Sequence, residues 1–314
     1  MAAALLALVV WRTRPWEAAA LAARLDPLPL LLALALNAVV ILLWAIRSAG
    51  LMAAVGSPLG AWTLVPVVAF ANTINNLTPA SAGEVLRAIV LRRRHAVPYE
   101  SSTAVILAER LWAIGIIAVS AAAAAVGTIV AASGELVAGA WLAAAVLAFA
   151  PFLAYRAGLR PMRAFGTLVT RSPWSRAQQL GAGMGVVDDR LAGILLQPGP
   201  SLGFVVVTGL IFLVFAAQMW LVLSALGADV PLAGAWAAYG LAICAGVISA
   251  LPFGLGAADA VLVALLVAQG VEVPVAGAAA ILLRAVTTLP LGIAGAISWM
   301  SLDRAGRTAA ESTG

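Results

Sequence analysis

Residues 79–110, PASAGEVLRAIVLRRRHAVPYESSTAVILAER, and residues 252–284, PFGLGAADAVLVALLVAQGVEVPVAGAAAILLR, follow one plan. Each runs from a proline through a glycine and an acid into an apolar helix, turns at a Val-Pro, and closes in a second apolar helix ending on arginine. Proline and arginine stand 31 positions apart in the first stretch and 32 in the second. Low complexity makes Ala/Leu/Val-rich stretches alike, but it does not match their polar positions, so the pair reads as an internal repeat. The corresponding turns are opposite in charge, RRRHAVP basic and QGVEVP acidic. Basic turns stay on the cytoplasmic side. The two copies therefore enter from opposite faces, as an inverted repeat.

Working outward, the chain has 314 residues, 64% hydrophobic and only 10% charged, with mean hydropathy +1.07. A soluble domain carries about a quarter charged residues. Apolar runs at 28–46, 61–78, 103–131, 137–155, 202–226, 232–250, 257–269 and 275–299 make eight candidate membrane segments at about 20 residues each. The expected fold is an all-α polytopic membrane protein, a single integral membrane domain over 1–314. Within it, 1–27 is an interfacial or shortened first helix, 28–155 the first half, 156–200 an amphipathic linker, 201–300 the second half and 301–314 a tail. Trp44, Trp62, Trp141, Trp220 and Trp299 fall near run ends, where indole rings anchor at headgroup depth.

Two topologies remain open. In one, 61–91 and 232–269 are re-entrant helical hairpins dipping from opposite sides, and NNLTPASAG and LPFGLG meet near the midplane. In the other, 61–78 and 232–250 cross fully, which suits Arg12, Arg14 and Arg24 better.

All 18 basic residues are arginine, against 13 acids. In an apolar chain this excess points to anionic lipid rather than nucleic acid. Arg156, Arg160, Arg163, Arg171, Arg176 and Arg190, with Arg92, Arg93, Arg94, Arg304 and Arg307, put the linker, the first repeat's turn and the C-terminal tail on the cytoplasmic side of the cell membrane. The linker reads as amphipathic helix on the anionic leaflet, or as a plain solvated connection. Glu135, Asp229 and Glu272 mark outward loops. One cysteine, Cys244, and one histidine, His95, exclude a disulfide framework and a zinc site. Asp188 and Asp189 read as a solvated pair sooner than a metal site, so no metal or cofactor is expected.

Broken backbone within hydrocarbon needs protein or a water-filled cavity to satisfy its polar groups. Glu84, Arg87, Glu109, Arg110, Asp259 and Arg284 are the ionisable residues within or abutting the segments around the two breaks. Each charge at bilayer depth costs at least about 2.5–3.5 kcal/mol, so these six are paired or functional. They make either three ion pairs holding helices together or a site for a lipid phosphate, which arginine's planar fork suits. Asn72, Asn75 and Asn76, with Thr78 and Ser81, either line a polar path or satisfy the backbone freed at the break.

The stretches NNLTPASAGEVLRAIVLRRR, AER at 108–110, LSALGADVPL, LPFGLGAADA and ILLR resemble the lysylphosphatidylglycerol synthase transmembrane family of flippase-like membrane proteins, over about residues 28–300. By motif, Gly83, Glu84 and Arg87 match its first signature, Glu109 and Arg110 its second, Gly254, Gly256 and Asp259 its third, and Arg284 its fourth. The third departs from a P-G-G-L-G-x-R-E pattern. Phe253 replaces a glycine, Ala258 stands where arginine is common, and Asp259 replaces glutamate, so one positive charge is missing.

The resemblance implies a lipid flippase moving an anionic or aminoacylated phospholipid, or a polyprenyl-linked headgroup, between leaflets. Arg87, Arg110 and Arg284 would hold the phosphate, while Glu84, Glu109 and Asp259 orient them or receive a cationic headgroup. The alternative is a membrane-embedded transferase on a lipid-linked substrate. Larger relatives append a soluble synthase domain, and a chain ending at Gly314 is not expected to synthesise lysyl lipid itself. A homo-oligomer is left open.

Overall fold

The structure is a computed structural model that describes residues 11–12, 25–78, 82–129, 149–249 and 254–311. Regular structure among the described residues is helical, without strands. In chain order the helices are α1 (Pro27–Ala54), α2 (Ala61–Leu77), α3 (Ala82–His95), α4 (Tyr99–Ile129), α5 (Pro161–Val169), α6 (Ser175–Leu196), α7 (Pro198–Ala225), α8 (Leu232–Ser249), α9 (Ala257–Ala268), α10 (Val273–Val286) and α11 (Thr288–Glu311). Residues 149–156 are helical as well. The opening MAAALLALVV, Glu135, Trp141, Pro79, Ser81, Pro252 and Phe253 lie outside the described residues.

Among the described residues, three stretches are long and apolar enough to cross a bilayer: α1, α7, and Val273–Leu302 running through α10 into α11. Leu28, Leu31, Leu210, Leu213, Ile293 and Ile297 project outward from them. In water such a surface would be an aggregation liability; facing acyl chains it is the expected outer wall.

The helices repeat between halves. Helices α1 and α7 both have 28 residues. Helices α2 and α8 have 17 and 18, and α3 and α9 have 14 and 12. Helix α4, with 31, matches the 30-residue stretch Val273–Leu302. Packing repeats too. Helix α2 lies against α3 as α8 does against α9; α2 contacts α11 while α8 contacts α4; and α1 packs on its own counterpart α7. Exchanging the halves maps these contacts onto themselves, the signature of a self-complementary interface.

Counted from their first residues, α1 and α7 place Pro27, Pro29, Asn37, Trp44 and Arg47 opposite Pro198, Pro200, Thr208, Phe215 and Gln218. Trp44 and Phe215 meet where the two helices cross, ring centroids 6.5 Å apart. Trp44 is therefore turned inward, contrary to its expected place at headgroup depth, because it forms the repeat contact. Trp62, Trp220 and Trp299 are exposed, as anchoring requires.

Each hairpin closes at a glycine. A Cβ on Gly83 would fall 2.0 Å from the Ala71 carbonyl oxygen and 2.7 Å from Asn75 Oδ1. At the second hairpin, Gly254 has φ +60, and a Cβ there would meet Gly246 Cα at 2.9 Å. Gly256, φ +84, turns the chain into α9. A similar polar repair serves the α10–α11 junction. Pro290 has no N–H to give the Val286 carbonyl, and Asn37 Nδ2 of α1 donates to that oxygen instead at 2.6 Å.

The stretch expected as a linker on the leaflet is a folded hairpin. Helices α5 and α6 cross so closely that a Cβ on Gly166 would lie 2.5 Å from the Gly181 carbonyl oxygen. Val187, Leu191, Ile194 and Leu195 of α6 join the first-half core with Leu64, Leu91 and Val105. Phe165, Leu168, Trp174 and Leu180 stay exposed beside Arg163, Arg171 and Arg176. Asp188 is fully buried, accepting from the Tyr155 hydroxyl and from the Arg163 backbone N–H at 3.0 Å, while Asp189 pairs with Arg163 at 2.5 Å. Both carboxylates have protein partners, and the described residues contain no cluster of three or more metal-ligating side chains.

Candidate functional site

Helix α3 begins at the first break, so its first-turn N–H groups lack partners within the helix. Asn75, on the other arm, supplies one: the Glu84 backbone N–H donates to Asn75 Oδ1 at 3.1 Å, and Asn75 Nδ2 donates to Glu84 Oε1 at 2.9 Å. This reciprocal pair locks the hairpin and fixes Glu84 at its tip. One turn on, Arg87 is buried. Its Nη1 donates to Glu109 Oε2 of α4 at 2.6 Å, and its Nη2 donates to Ser48 Oγ of α1 at 2.9 Å and to Glu109 Oε1 at 3.3 Å. Ser48 Oγ donates in turn to Glu109 Oε1 at 3.0 Å. The forked guanidinium–carboxylate geometry is the strong form of a charged hydrogen bond.

Arg47, next to Ser48, completes the group. Its Nε is 3.9 Å from Glu109 Oε1 and its guanidinium lies 5.3 Å from the Phe204 ring centroid of α7. That Nε is buried without a hydrogen-bond partner. Trp44, Arg47, Ser48, Asn72, Asn75, Glu84, Arg87 and Glu109, with Val68 and Ala71, line one cavity. Its free space is that of about one water molecule.

The remaining candidates fall into ion pairs at the ends of the repeat. Arg110 Nη2 donates to Glu84 Oε1 at 2.8 Å. In the second half Arg284 forks onto Asp259, Nε to Oδ1 at 2.7 Å and Nη2 to Oδ2 at 2.8 Å, and Asp259 also accepts the Gly256 N–H at 2.8 Å. Counted from the starts of their helices, Glu84 corresponds to Asp259 and Arg110 to Arg284. The same pair is thus built twice, tying the tip of each hairpin to the helix that follows it.

The same count places Leu262 opposite Arg87, Leu283 opposite Glu109 and Gln218 opposite Arg47. Leu262 and Leu283 are buried in the second-half core. The polar cavity consequently belongs to the first half alone. Sequence reading expected Arg87, Arg110 and Arg284 to serve one site. The structure brings Glu84, Arg87, Glu109, Arg110 and Asn75 together, whereas Asp259 and Arg284 form their own pair and do not line this cavity. Asn76 is exposed rather than on its wall, and Gly83, Gly254 and Gly256 shape the hairpins.

Arg47 escaped the sequence reading because it stands just past the end of an apolar run, where an arginine reads as a topology marker. Its signal was present in the aligned starts of α1 and α7, both P-x-P.

Comparison with curated proteins gives no match. Residues 1–295 match the family described as the lysylphosphatidylglycerol synthase TM region. With helices as its regular structure, three bilayer-length apolar stretches among the described residues and buried charge between them, the chain is a membrane protein and belongs to the lysylphosphatidylglycerol synthase transmembrane family.

Proposed function

We propose that the protein is a flippase that moves an anionic phospholipid or lipid-linked headgroup between leaflets, gripping the headgroup at the Arg47–Arg87–Glu109 cavity. The observation that carries this reading is a polar cavity at a hairpin tip between apolar helices, lined by Arg47 and Arg87 beside Glu84 and Glu109. Charges at membrane depth mark substrate paths or proton relays, and arginine suits a phosphate ester.

Helix lengths support re-entrant hairpins. At 1.5 Å per residue, the 14 residues of α3 reach about 21 Å and the 12 of α9 about 18 Å, short of a hydrocarbon core of about 30 Å. With the arginine-rich α3–α4 turn and the α5–α6 hairpin on the cytoplasmic side, α1 and α7 run in opposite directions and the repeat is inverted. Exposed Phe165, Leu168 and Trp174 then enter the headgroup layer beside Arg171 and Arg176, and the C-terminus is cytoplasmic. A cavity with room for one water is closed to a headgroup. It widens only if the α2–α3 hairpin shifts against α4, as alternating access requires.

The test is reconstitution in liposomes with fluorescent phosphatidylglycerol in both leaflets and a membrane-impermeant quencher outside. Wild-type protein should expose the inner-leaflet label, and Arg87→Ala, folded by its thermal transition, should lose most of that rate. Equal exchange in both would remove the cavity from the mechanism. A covalently altered lipid in the same vesicles would favour a transferase instead.

A further inference from the structure

Comparing the two halves separates the charges that build the fold from the charges that do something else. Glu84–Arg110 and Asp259–Arg284 occur at corresponding places, 2.8 and 2.7 Å long, and so belong to the repeat architecture. Setting them aside leaves Arg47, Arg87 and Glu109, which have no charged counterpart, because Gln218, Leu262 and Leu283 fill those places. Both guanidinium groups face Glu109, and Arg87 Nη1 also lies 3.6 Å from Glu84 Oε2. Arg87 takes the short, forked contact to Glu109, whereas the Arg47 Nε lies at 3.9 Å and has no hydrogen-bond partner although buried. Its guanidinium is held by the Phe204 ring, which attracts the cation without occupying its donors. A buried N–H with no acceptor is costly to keep.

We infer that Arg47 is the residue that binds the anion, taking a phosphate group as the acceptor its guanidinium lacks, while Arg87 is the positioning residue that holds Glu109 away from it. This rests on, and deepens, the translocation reading: the grip is built into one half of the repeat only, and the ligand carries a phosphate with at least one negative charge. A phosphodiester headgroup and free inorganic phosphate share that chemistry.

The experiment uses the full chain in maltoside micelles, which carry no phosphate, and measures binding of short-chain fluorescent phosphatidylglycerol and of the matching diacylglycerol. The decisive variant is Arg47→Gln, which installs the residue that the second half carries at the same place. It should weaken phosphatidylglycerol binding by about tenfold to hundredfold, the loss of one charged hydrogen bond, and leave binding of the phosphate-free diacylglycerol unchanged. Arg47→Lys keeps the charge and should retain intermediate affinity, which a merely structural role for the fork would not predict.

Competition by inorganic phosphate with the same Arg47 dependence supports recognition of the phosphate alone; no competition, with Arg47 dependence retained, supports the lipid headgroup. Wild-type affinity for phosphatidylglycerol in a folded Arg47→Gln protein would overturn the assignment. If wild type binds through Arg47 yet moves no lipid in liposomes, the translocation reading fails and this one stands. If Arg47→Gln both binds and translocates like wild type, the reverse holds.

Discussion

Arg87 and Gly83 illustrate how little freedom single residues have at the hairpin tip. Gly83 is required by proximity rather than by its backbone angles: the two arms touch where its side chain would be, 2.0 Å from a carbonyl oxygen. Gly83→Ala should push the arms apart, strain the Asn75–Glu84 pair and cost roughly 1–3 kcal/mol, as overpacking does. A lowered thermal midpoint of the purified protein checks this, and an unchanged midpoint would show that α2 and α3 do not pack as described. Arg87 is placed by three helices at once. Its acceptors lie on α1 and α4 while its own backbone is on α3, so any motion of the hairpin against α4 must stretch a contact now 2.6 Å long.

At the scale of elements, α3 is the least apolar helix of the membrane part, and its end explains how it stays in place. Arg92, Arg93, Arg94 and His95 occupy its last turn, where positive charge favours the helix's carbonyl end. The helix stops at Ala96, whose φ of +53 lies in the left-handed region, and the Val97 N–H returns to the Leu91 carbonyl at 3.3 Å. A non-glycine residue pays about 1 kcal/mol or more for that conformation. Ala96→Gly should therefore stabilise the protein by about 0.5–1 kcal/mol, the steric relief less the greater chain entropy of glycine. A raised thermal midpoint with unchanged lipid binding is the expected result, and a fall would mean the turn is not left-handed. Helices α5 and α6 show another kind of placement. One face of the hairpin is core and the other apolar with arginines, so the same element braces the first half and leaves an amphipathic outer face.

For the whole molecule, the repeat supplies its own control. Changing Arg47→Gln, Arg87→Leu and Glu109→Leu together gives the first half the residues that the second half carries at those places. Replacing a buried ion cluster by apolar side chains is often neutral or stabilising, whereas removing one partner costs about 3–5 kcal/mol. The triple variant should hence melt near the wild-type temperature while Glu109→Leu alone melts well below it. Only the triple variant separates folding from function: it should fold and lose phosphatidylglycerol binding. A triple variant as destabilised as Glu109→Leu would mean the cluster is there for stability.

The chain by itself determined the membrane class, the helical composition, the repeat and the acids and arginines at its ends, but not which acid meets which arginine. These follow from hydropathy, from turns whose charge can be read locally, and from spacings along one strand of sequence. Only the tertiary structure decided which charges share a cavity. Arg47, Ser48, Arg87 and Glu109 come from three separate helices, and their meeting depends on how α1, α3 and α4 cross, which no local pattern encodes. It also decided that Arg110 and Arg284 belong to the frame while Arg47 lines the cavity, because only contacts between helices show Arg110 closing on Glu84, Arg284 on Asp259, and the Arg47 Nε left without a hydrogen-bond partner.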